Sequence, residues 1–373
     1  MGSLPPILQI EKGTAYAMFA YDIGQSVDLN EAERRITTIK ERSRIKHKRR
    51  APAYFDYSPA PLRIGADTEP LTIGRFRTDP GVDVLLYDFG AVSLTHTIPL
   101  NGTFSDLLSL SQDLYDHEPL RAESRRRVEE LLAAVGEAVE RPHVVDSVED
   151  YVIYHIEASA PSLNGSDLVK DHAQAVAQVL RSESQSLAEQ EIQDAIGYRL
   201  SFGPDDIAVI DWNAALLLGQ DMEDVLAVLE FANVELLEMR LLDRQLDRAL
   251  DEAYEALPKR GWIRLHLPGS VRTELEPIAQ LQVDSAILFE RVTNTLKLFG
   301  DQYLARIHRL ASQRFHLESW DASITRKLHT LESIYEKLAA QAAARRMEVL
   351  EWIIIVLIGL SILVSLIPVA GGR

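Results

Sequence analysis

The side chains that most often carry catalysis are present, but they show no catalytic spacing. The sequence has no Gly-rich phosphate loop ending in Lys and Ser or Thr, no dinucleotide fingerprint and no His-Glu-x-x-His zinc pattern. Its ten histidines are scattered, and His143, His155 and His172 fall near the ends of predicted elements. A lone histidine of this kind is typical of a surface or a core, so none is interpreted as a ligand.

Carboxylates are too abundant to identify a site by themselves. Neighbours such as Asp205 and Asp206, or Glu149 and Asp150, would act as acid and base only in a defined geometry. The complete lack of cysteine excludes disulfides, thiolate metal sites and thiol catalysis. We therefore expect no catalytic residue, no cofactor, no metal and no small-molecule substrate, and we interpret the chain as a protein that is not an enzyme.

One basic stretch stands out on a chain whose formal net charge is -17. Between Arg34 and Arg50, nine Lys or Arg residues face the single acid Glu41, a density that attracts phosphate or anionic lipid. A solvated helix end and loop is the other interpretation, because no aromatic stacking residues are interleaved. The acidic balance argues against a DNA-binding protein. The residues of the candidate basic patch are Arg44, Lys46, Lys48, Arg49 and Arg50.

The end of the sequence has the composition of a membrane span. No charged residue occurs from Ile353 to Gly372, and twenty helical residues reach about 30 Å, the hydrocarbon thickness of a bilayer. A buried core helix is the alternative, but such a helix normally keeps a polar face. The sequence predicts a transmembrane anchor over residues 352–370, with anchoring side chains Trp352, Ile353, Ile358, Leu363 and Ile367.

The charges beside this segment predict its orientation. Arg345 and Arg346 precede it, so the bulk of the chain is expected on the cytoplasmic side. The expectation is a tail-anchored, single-pass protein of a bacterial inner membrane, with lipid as a partner of its C-terminal helix.

Residues 1–220 alternate between strand and helix patterns. GTAYAMFAYDI predicts a strand ending near Asp22, and a helix follows with Asn30 as its N-cap. VDVLLYDFGAVSLTHTI predicts two strands interrupted at Gly90, and DDIAVIDWNAALLLG predicts a hairpin across Trp212 and Asn213. This alternation is typical of an open sheet with helices packed on it.

Long helices follow over residues 221–351. From Val225 to Leu257, seam residues are separated alternately by four and three positions, and a tract from Ile324 to Trp352 repeats the pattern. This spacing predicts a coiled-coil-like stalk that self-associates into a homo-oligomer. Candidate interface residues, including two polar residues at seam positions, are Asp243, Leu331, Tyr335, Leu338 and Arg345.

The predicted fold class is therefore α+β. An N-terminal mixed α/β cytoplasmic domain spans residues 1–220, long coiled-coil-like helices span 221–351, and one C-terminal transmembrane helix spans 352–370.

Three stretches of the sequence resemble a known family. The ending LEWIIIVLI, Leu350 to Ile358, with the helical tract before it, and the early strands AYAMFAY and VDVLLYDFGAVSL, are similar to the required-for-meiotic-nuclear-division proteins. That family includes a mitochondrial inner-membrane member and bacterial relatives. The resemblance implies an α/β domain, a helical stalk, a membrane anchor and self-association. For the mitochondrial member it also implies support of organellar translation by anchoring ribosomes, and it supplies no catalytic residues.

Two functions agree with these patterns. The first is a membrane-anchored, self-associating scaffold or tether that presents its α/β domain to a protein or ribonucleoprotein partner, such as the ribosome. The second is an oligomeric pore or transport subunit with CorA-like architecture. The sequence lacks the second span and the Gly-Met-Asn signature of those channels, and its apolar segment offers no polar pore lining, which favours the scaffold.

Overall fold

Two contact-rich units make up the chain. The computed structural model describes residues 8–40, 59–256 and 302–366, together with Val283. The first unit comprises Met1–Leu241 and Glu290–Trp320, and the second comprises Leu242–Phe289 and Asp321–Arg373. Along the chain, two helices continue from one unit into the other.

The first unit contains an eight-stranded sheet whose centre is the strand predicted around AYAMFAY. Apolar and aromatic residues along this strand favour extended backbone, and both of its neighbours pair with it in antiparallel fashion. The strands of the first unit, in the large sheet and in two small ribbons, are in chain order β1 (Gln9–Asp22), β2 (Ser26–Val27), β3 (Leu62–Asp67), β4 (Thr72–Ile73), β5 (Phe76–Arg77), β6 (Gly81–Leu86), β7 (Ala91–Thr103), β8 (Val139–Glu140), β9 (Glu149–Ala160), β10 (Arg199–Leu200), β11 (Ile207–Ile210) and β12 (Ala214–Leu218).

The strand order in the large sheet is β10-β11-β12-β9-β1-β7-β6-β3. Among the strand pairs that the structure describes, only β12–β9 is parallel. β2 pairs with β8 and β4 pairs with β5 in two small ribbons. The two strands predicted on either side of Gly90 are β6 and β7, which pair with each other. The hairpin predicted across Trp212 is confirmed, since Ile210 pairs with Ala215.

Helices cover both faces of this sheet. The helices that the structure describes are α1 (Leu29–Lys40), α2 (Phe104–Leu114), α3 (Glu118–Val135), α4 (Gly165–Asp171), α5 (Ala173–Arg181), α6 (Glu189–Ala195), α7 (Glu223–Ala256), α8 (Gln302–Arg314) and α9 (Leu317–Leu366). One apolar core lies between the sheet and α1 to α6, and the other lies between the sheet, the first part of α7 and α8.

The start of α1 corrects the predicted N-cap. The Asp28 carboxylate accepts hydrogen bonds from the backbone N–H groups of Asn30, at 3.0 Å, and Glu31, at 3.1 Å. Asp28 therefore caps the helix instead of Asn30, because a carboxylate satisfies the free N–H groups of a first turn more strongly than an amide oxygen.

The C-terminal prediction is wrong. No helix in the ranges that the structure describes is long and apolar enough to cross a membrane.

This finding contradicts several of the sequence-based expectations. The transmembrane helix of the predicted fold class, the tail anchor, the single-pass membrane localisation and the lipid partner of the C-terminal helix are corrected. Of the predicted anchoring side chains, Trp352, Ile353, Ile358 and Leu363 lie on α9 with about half or more of their surface exposed. Ile367 lies outside the described residues.

Gly90 offers a test of this fold at the β6–β7 turn. Its φ is +99°, and a Cβ atom there would lie 1.8 Å from the Gly24 carbonyl oxygen. We expect Gly90→Ala to lower the free energy of unfolding by about 1–3 kcal/mol, since backbone would have to move. Thermal unfolding followed by circular dichroism measures the loss. Gly136→Ala is the control, because φ there is -55° and nothing lies within 4 Å, and equal melting of both variants would contradict the strain.

Candidate binding groove

A buried aspartate organises one end of the sheet. Asp211 directly follows β11, and its side chain is fully buried. Arg314 on α8 donates through Nε to its Oδ1 at 2.6 Å, and Arg181 on α5 donates through Nε to its Oδ2 at 3.2 Å. The backbone N–H of Trp212 also donates to Oδ1, at 2.8 Å. The carboxylate is therefore satisfied on both oxygens, which a buried charge requires.

Both arginines extend this charge cluster to α6. Asp194 accepts from Arg181 at 2.6 Å and from Arg314 at 2.8 Å. Hydrogen bonding to Arg314 lowers the pKa of Asp194, and burial acts in the opposite direction. The guanidinium of Arg314 also lies 5.1 Å from the centre of the Tyr198 ring. These contacts join α5, α6 and α8 to the β11–β12 hairpin.

An open groove of about 1150 Å³ lies among the elements that this cluster fixes. Its walls come from α4, α5, α6, β10, the loop from Ser201 to Pro204 and α8. Gly165 sits at its wall, where a Cβ atom would lie 2.6 Å from the Asp206 carbonyl oxygen. The close approach of α4 to this loop therefore depends on a residue without a side chain.

The groove presents more positive than negative side chains. Lys170, Arg199 and Arg306 line it, together with the acids Asp171 and Glu189. Arg199 keeps one hydrogen bond inside the chain, to the Ile196 carbonyl oxygen at 2.7 Å. Such a surface attracts carboxylates, and the interaction weakens as salt rises.

One polar atom of the groove is left unsatisfied. The Gln174 Nε2 atom is buried and has no hydrogen-bond acceptor among the residues that the structure describes. An amide N–H buried in this way costs free energy until it meets an acceptor. A carbonyl or carboxylate oxygen placed in the groove would satisfy it.

A second polar region lies beneath α7, on the face of the sheet opposite α2. Glu230 is buried and accepts from Ser93 at 2.7 Å and from Thr95 at 3.0 Å. Glu235, one and a half turns later, lies 3.0 Å from Nε2 of His308 on α8. Burial raises the pKa of Glu230, and its two hydroxyl donors lower that pKa by a smaller amount. These acids fix α7 and α8 in place and are enclosed away from solvent.

Glu238 differs from the other acids of α7. Its side chain is buried, and neither carboxyl oxygen has a hydrogen-bond partner in the described part of the chain. Burial raises the pKa of Glu238 well above its usual range, and the charge of Asp22 adds to this rise. Asp22 in turn lies 3.2 Å from Nε2 of His143 and raises the pKa of that imidazole to about 9. Burial without a hydrogen-bond partner therefore favours the protonated, uncharged form of Glu238.

The histidines and acid pairs noted in the sequence lie at separate places. His155 contacts the Gly219 carbonyl oxygen at 2.7 Å, and the His172 ring stacks on Phe104. Asp206 accepts from the N–H groups of Phe202 and Gly203 and shapes the groove loop. Within the described ranges, no three His, Cys, Asp or Glu side chains come together in a way that could hold a metal ion.

The candidate interface residues lie on the long helices of the second unit. Asp243 accepts from Ser323 at 2.9 Å and pairs with Lys327 at 2.7 Å, so this seam acid has partners within the chain. Leu331 and Leu338 are buried and Tyr335 is half-buried, while Arg345 lies within α9. Their part in self-association stays a prediction. The basic patch Arg44, Lys46, Lys48, Arg49 and Arg50 lies outside the described residues.

Asp211 and the acids of α7 were not singled out from the sequence. A signal existed in both cases: Asp211 interrupts the apolar run IAVID-W, and Glu230, Glu235 and Glu238 interrupt an apolar helix. An acid inside an apolar run indicates a buried partner, because unpaired burial is costly. The heptad pattern did not identify the α7 acids, because they lie outside its predicted seam and such positions are assumed to face solvent.

The sheet, its helical layers and the groove define an α+β protein with a polar binding groove at one end of a mainly antiparallel sheet. The chain belongs to the family described as Uncharacterized protein MJ0711, N-terminal domain, which it matches over residues 12–224. This range begins within β1, contains β2 to β12 and ends at the start of α7.

One relative supports this membership. The chain is similar to the uncharacterized protein MJ0711 of Methanocaldococcus jannaschii, with 24% identity over 225 residues that cover 59% of this chain and 66% of the archaeal protein. The matched part thus spans just under two thirds of that relative. No solved structure matches the chain. Neither description names an enzymatic activity. The resemblance to the meiotic-nuclear-division family stays a prediction.

Removal of the Asp211 carboxylate tests the charge cluster. Asp211→Ala leaves Arg181 and Arg314 facing each other in a buried place, so we expect a loss of about 3–5 kcal/mol of unfolding free energy. Urea unfolding followed by tryptophan fluorescence gives the value. Asp194→Ala serves as the comparison: its carboxylate is half exposed, so we expect a loss of about 1 kcal/mol or less. A loss at Asp211 no larger than at Asp194 would show that the cluster is not the support of the groove.

The state of Glu238 can be tested by pH. Because its pKa is raised in the folded chain, its contribution to stability is complete below its usual pKa and is lost as the pH rises towards the folded value. Glutamine has the shape of the protonated acid and does not ionise. We expect Glu238→Gln to gain stability over the unmodified chain progressively from pH 5 to pH 8 in urea unfolding. Glu336→Gln, an exposed substitution in the middle of α9, is the control, and parallel profiles for both variants would contradict a protonated Glu238.

Proposed function

We propose that the chain is a non-enzymatic scaffold whose first unit binds an acidic segment of a partner protein in the groove between α4, α6 and β10. The observation that carries this proposal is the group of three cations, Lys170, Arg199 and Arg306, in one groove of a strongly acidic chain. The proposal keeps the scaffold predicted from the sequence and omits the membrane.

Charge supports this choice of partner. On a chain with a net charge of -17, a partner rich in carboxylates is repelled by most of the surface and attracted only where cations are concentrated. Arg199 and Arg306 can each bind a carboxylate in bidentate fashion, and Lys170 adds a point charge. Asp171 and Glu189 at the same groove disfavour a densely charged polyanion such as RNA, whose phosphates repeat at every nucleotide.

Hydrogen bonding and size point to a peptide. The unsatisfied Gln174 Nε2 requires an acceptor, which a peptide offers at every backbone carbonyl. A volume of about 1150 Å³ exceeds the range of roughly 300–1,000 Å³ that is usual for small-ligand pockets. The groove is also open, so a segment of extended chain can enter without burial of its ends.

An exposed aromatic residue provides an apolar anchor beside these charges. Phe202 follows the groove residue Ser201 and is 80% exposed. Its ring lies 5.2 Å from the Tyr303 ring in an edge-to-face arrangement, which holds it in place. Exposed aromatic side chains next to arginines are enriched at the centres of protein interfaces.

Charge reversal in the groove tests the proposal. A fluorescent peptide that combines Asp or Glu residues with one Leu should bind the full chain, with an affinity that falls as salt rises. We expect Lys170→Glu with Arg306→Glu to weaken binding at least tenfold, equivalent to about 1.4 kcal/mol or more. Fluorescence anisotropy measures both affinities.

Arg309→Glu with Arg326→Glu is the matched control, since it reverses the same number of charges at two exposed arginines that do not line the groove. Equal losses for the control and the groove variant would show a general charge effect and overturn the site. The chain could also bind a single-stranded RNA more tightly than the acidic peptide. If the groove variant loses that binding as well, the choice of an acidic protein segment is wrong.

A further inference from the structure

The sheet ends in two unlike edge strands. At the groove end, β10 has only two residues, a length that limits pairing with another chain. At the opposite end, β3 has six residues and pairs with β6 in unbroken register from Leu62 opposite Leu86 to Asp67 opposite Gly81. Proline residues at 61 and 70 bound this second edge, and none occurs within it. β3 is thus a regular edge without a bulge or an internal proline, the devices that commonly block edge pairing.

The backbone groups available at this edge follow from one hydrogen bond. Thr68 N–H donates to the Pro80 carbonyl oxygen at 3.3 Å, which continues the β3–β6 register by one residue. Backbone groups alternate along an antiparallel strand, so Thr68, Ala66 and Ile64 direct their N–H and C=O groups towards β6. Arg63, Gly65 and Asp67 therefore direct theirs away from the sheet, where no strand follows β3 among the described residues.

The outward residues are complementary to themselves. When two copies of β3 are placed antiparallel with Gly65 opposite Gly65, Arg63 of each copy lies opposite Asp67 of the other. These are the residues whose N–H and C=O groups face outward, so the register forms about six backbone hydrogen bonds. Opposite charges on directly facing residues stabilise such a pair, whereas a shift by two residues would lose both Arg63–Asp67 pairs.

We propose that β3 is a homodimerisation edge, at which two copies of the chain pair antiparallel about a two-fold axis that passes between their Gly65 residues. The contact joins two eight-stranded sheets into one continuous sheet and is isologous, as expected for a symmetric dimer. This inference rests on β3 alone and is independent of the groove and its partner.

The side chains at this edge leave room for the contact. Asp67 is exposed. Arg63 pairs with Asp83 of β6 at 3.1 Å, and about a third of its side chain is exposed. Gly65 lies between them on the same face and has no side chain to obstruct the axis. An arginine has five N–H donors, so Arg63 can keep Asp83 and still attract a second carboxylate.

A single cysteine can report the register, because the natural chain has none. In the proposed dimer the two Gly65 Cα atoms lie on opposite sides of the axis, about 5.5 Å apart. We expect Gly65→Cys in the full chain, kept in mild detergent, to form a covalent dimer with a short bis-maleimide in high yield. Asp205→Cys, an exposed position in the groove loop, is the control and should stay monomeric on a denaturing gel.

Charge and backbone variants test the contact itself. Asp67→Arg would place two arginines opposite each other at both ends of the pair, and Gly65→Pro would remove the two central N–H donors without loss of a bond to β6. We expect each to shift the dimer dissociation constant upward at least tenfold in analytical ultracentrifugation. Asp205→Arg makes the same charge change elsewhere and should leave the constant unchanged.

Each remaining outcome is decisive. If the unmodified chain is a monomer at 100 μM, the edge does not dimerise and the proposal is wrong. A dimer that resists both variants and gives no Gly65→Cys cross-link would use another surface, and this also overturns it. Equal cross-linking at both cysteine positions would show random collision. Circular dichroism of the variants separates loss of the dimer from loss of the fold.

Discussion

The groove end of the first unit depends on the burial of one carboxylate, Asp211. A buried charge without partners would cost several kcal/mol, and the chain meets that cost with two arginines from helices distant in sequence. Arg181 precedes it by 30 residues and Arg314 follows by 103. Asp194 then joins the same arginines to α6. The electrostatic requirement of one side chain therefore sets the positions of three helices, and the groove is the space that remains between them.

This arrangement explains why a binding surface lies where it does. The arginines of the cluster form ion pairs with Asp211 and Asp194, so they stabilise the fold without adding charge to the groove. Lys170 and Arg306 are exposed on α4 and α8, so they keep their charge available at the surface. The walls of the groove thus have two kinds of cation. The buried arginines fix the positions of the helices, and the exposed cations on the groove walls are available to a partner.

Much of the first unit could be predicted from local patterns, and its buried polar groups could not. The β6–β7 and β11–β12 hairpins follow from short apolar runs that flank turn residues, which is information held within about 15 residues. The Asp211 cluster depends on residues more than 100 positions apart, and no local pattern reports such a contact. The α7 acids were missed for another reason. From Val228 to Met239 the helix is buried on all sides, between the sheet and α8, so a heptad pattern that assumes one wet face misplaces Glu230, Glu235 and Glu238.

The two proposed surfaces lie at opposite edges of one sheet, and this separation has a geometric consequence. Eight strands at about 4.8 Å spacing place β10 roughly 34 Å from β3. A contact at β3 therefore leaves the groove beside β10 uncovered. A two-fold axis between the two Gly65 residues would place the two grooves at the far ends of a sixteen-stranded sheet, directed away from each other. A partner with two acidic segments on a long linker, or a partner that is itself dimeric, would then bind both grooves with an effective concentration set by that spacing. Self-association would in this way strengthen partner binding without a new contact, which is the property that a scaffold requires.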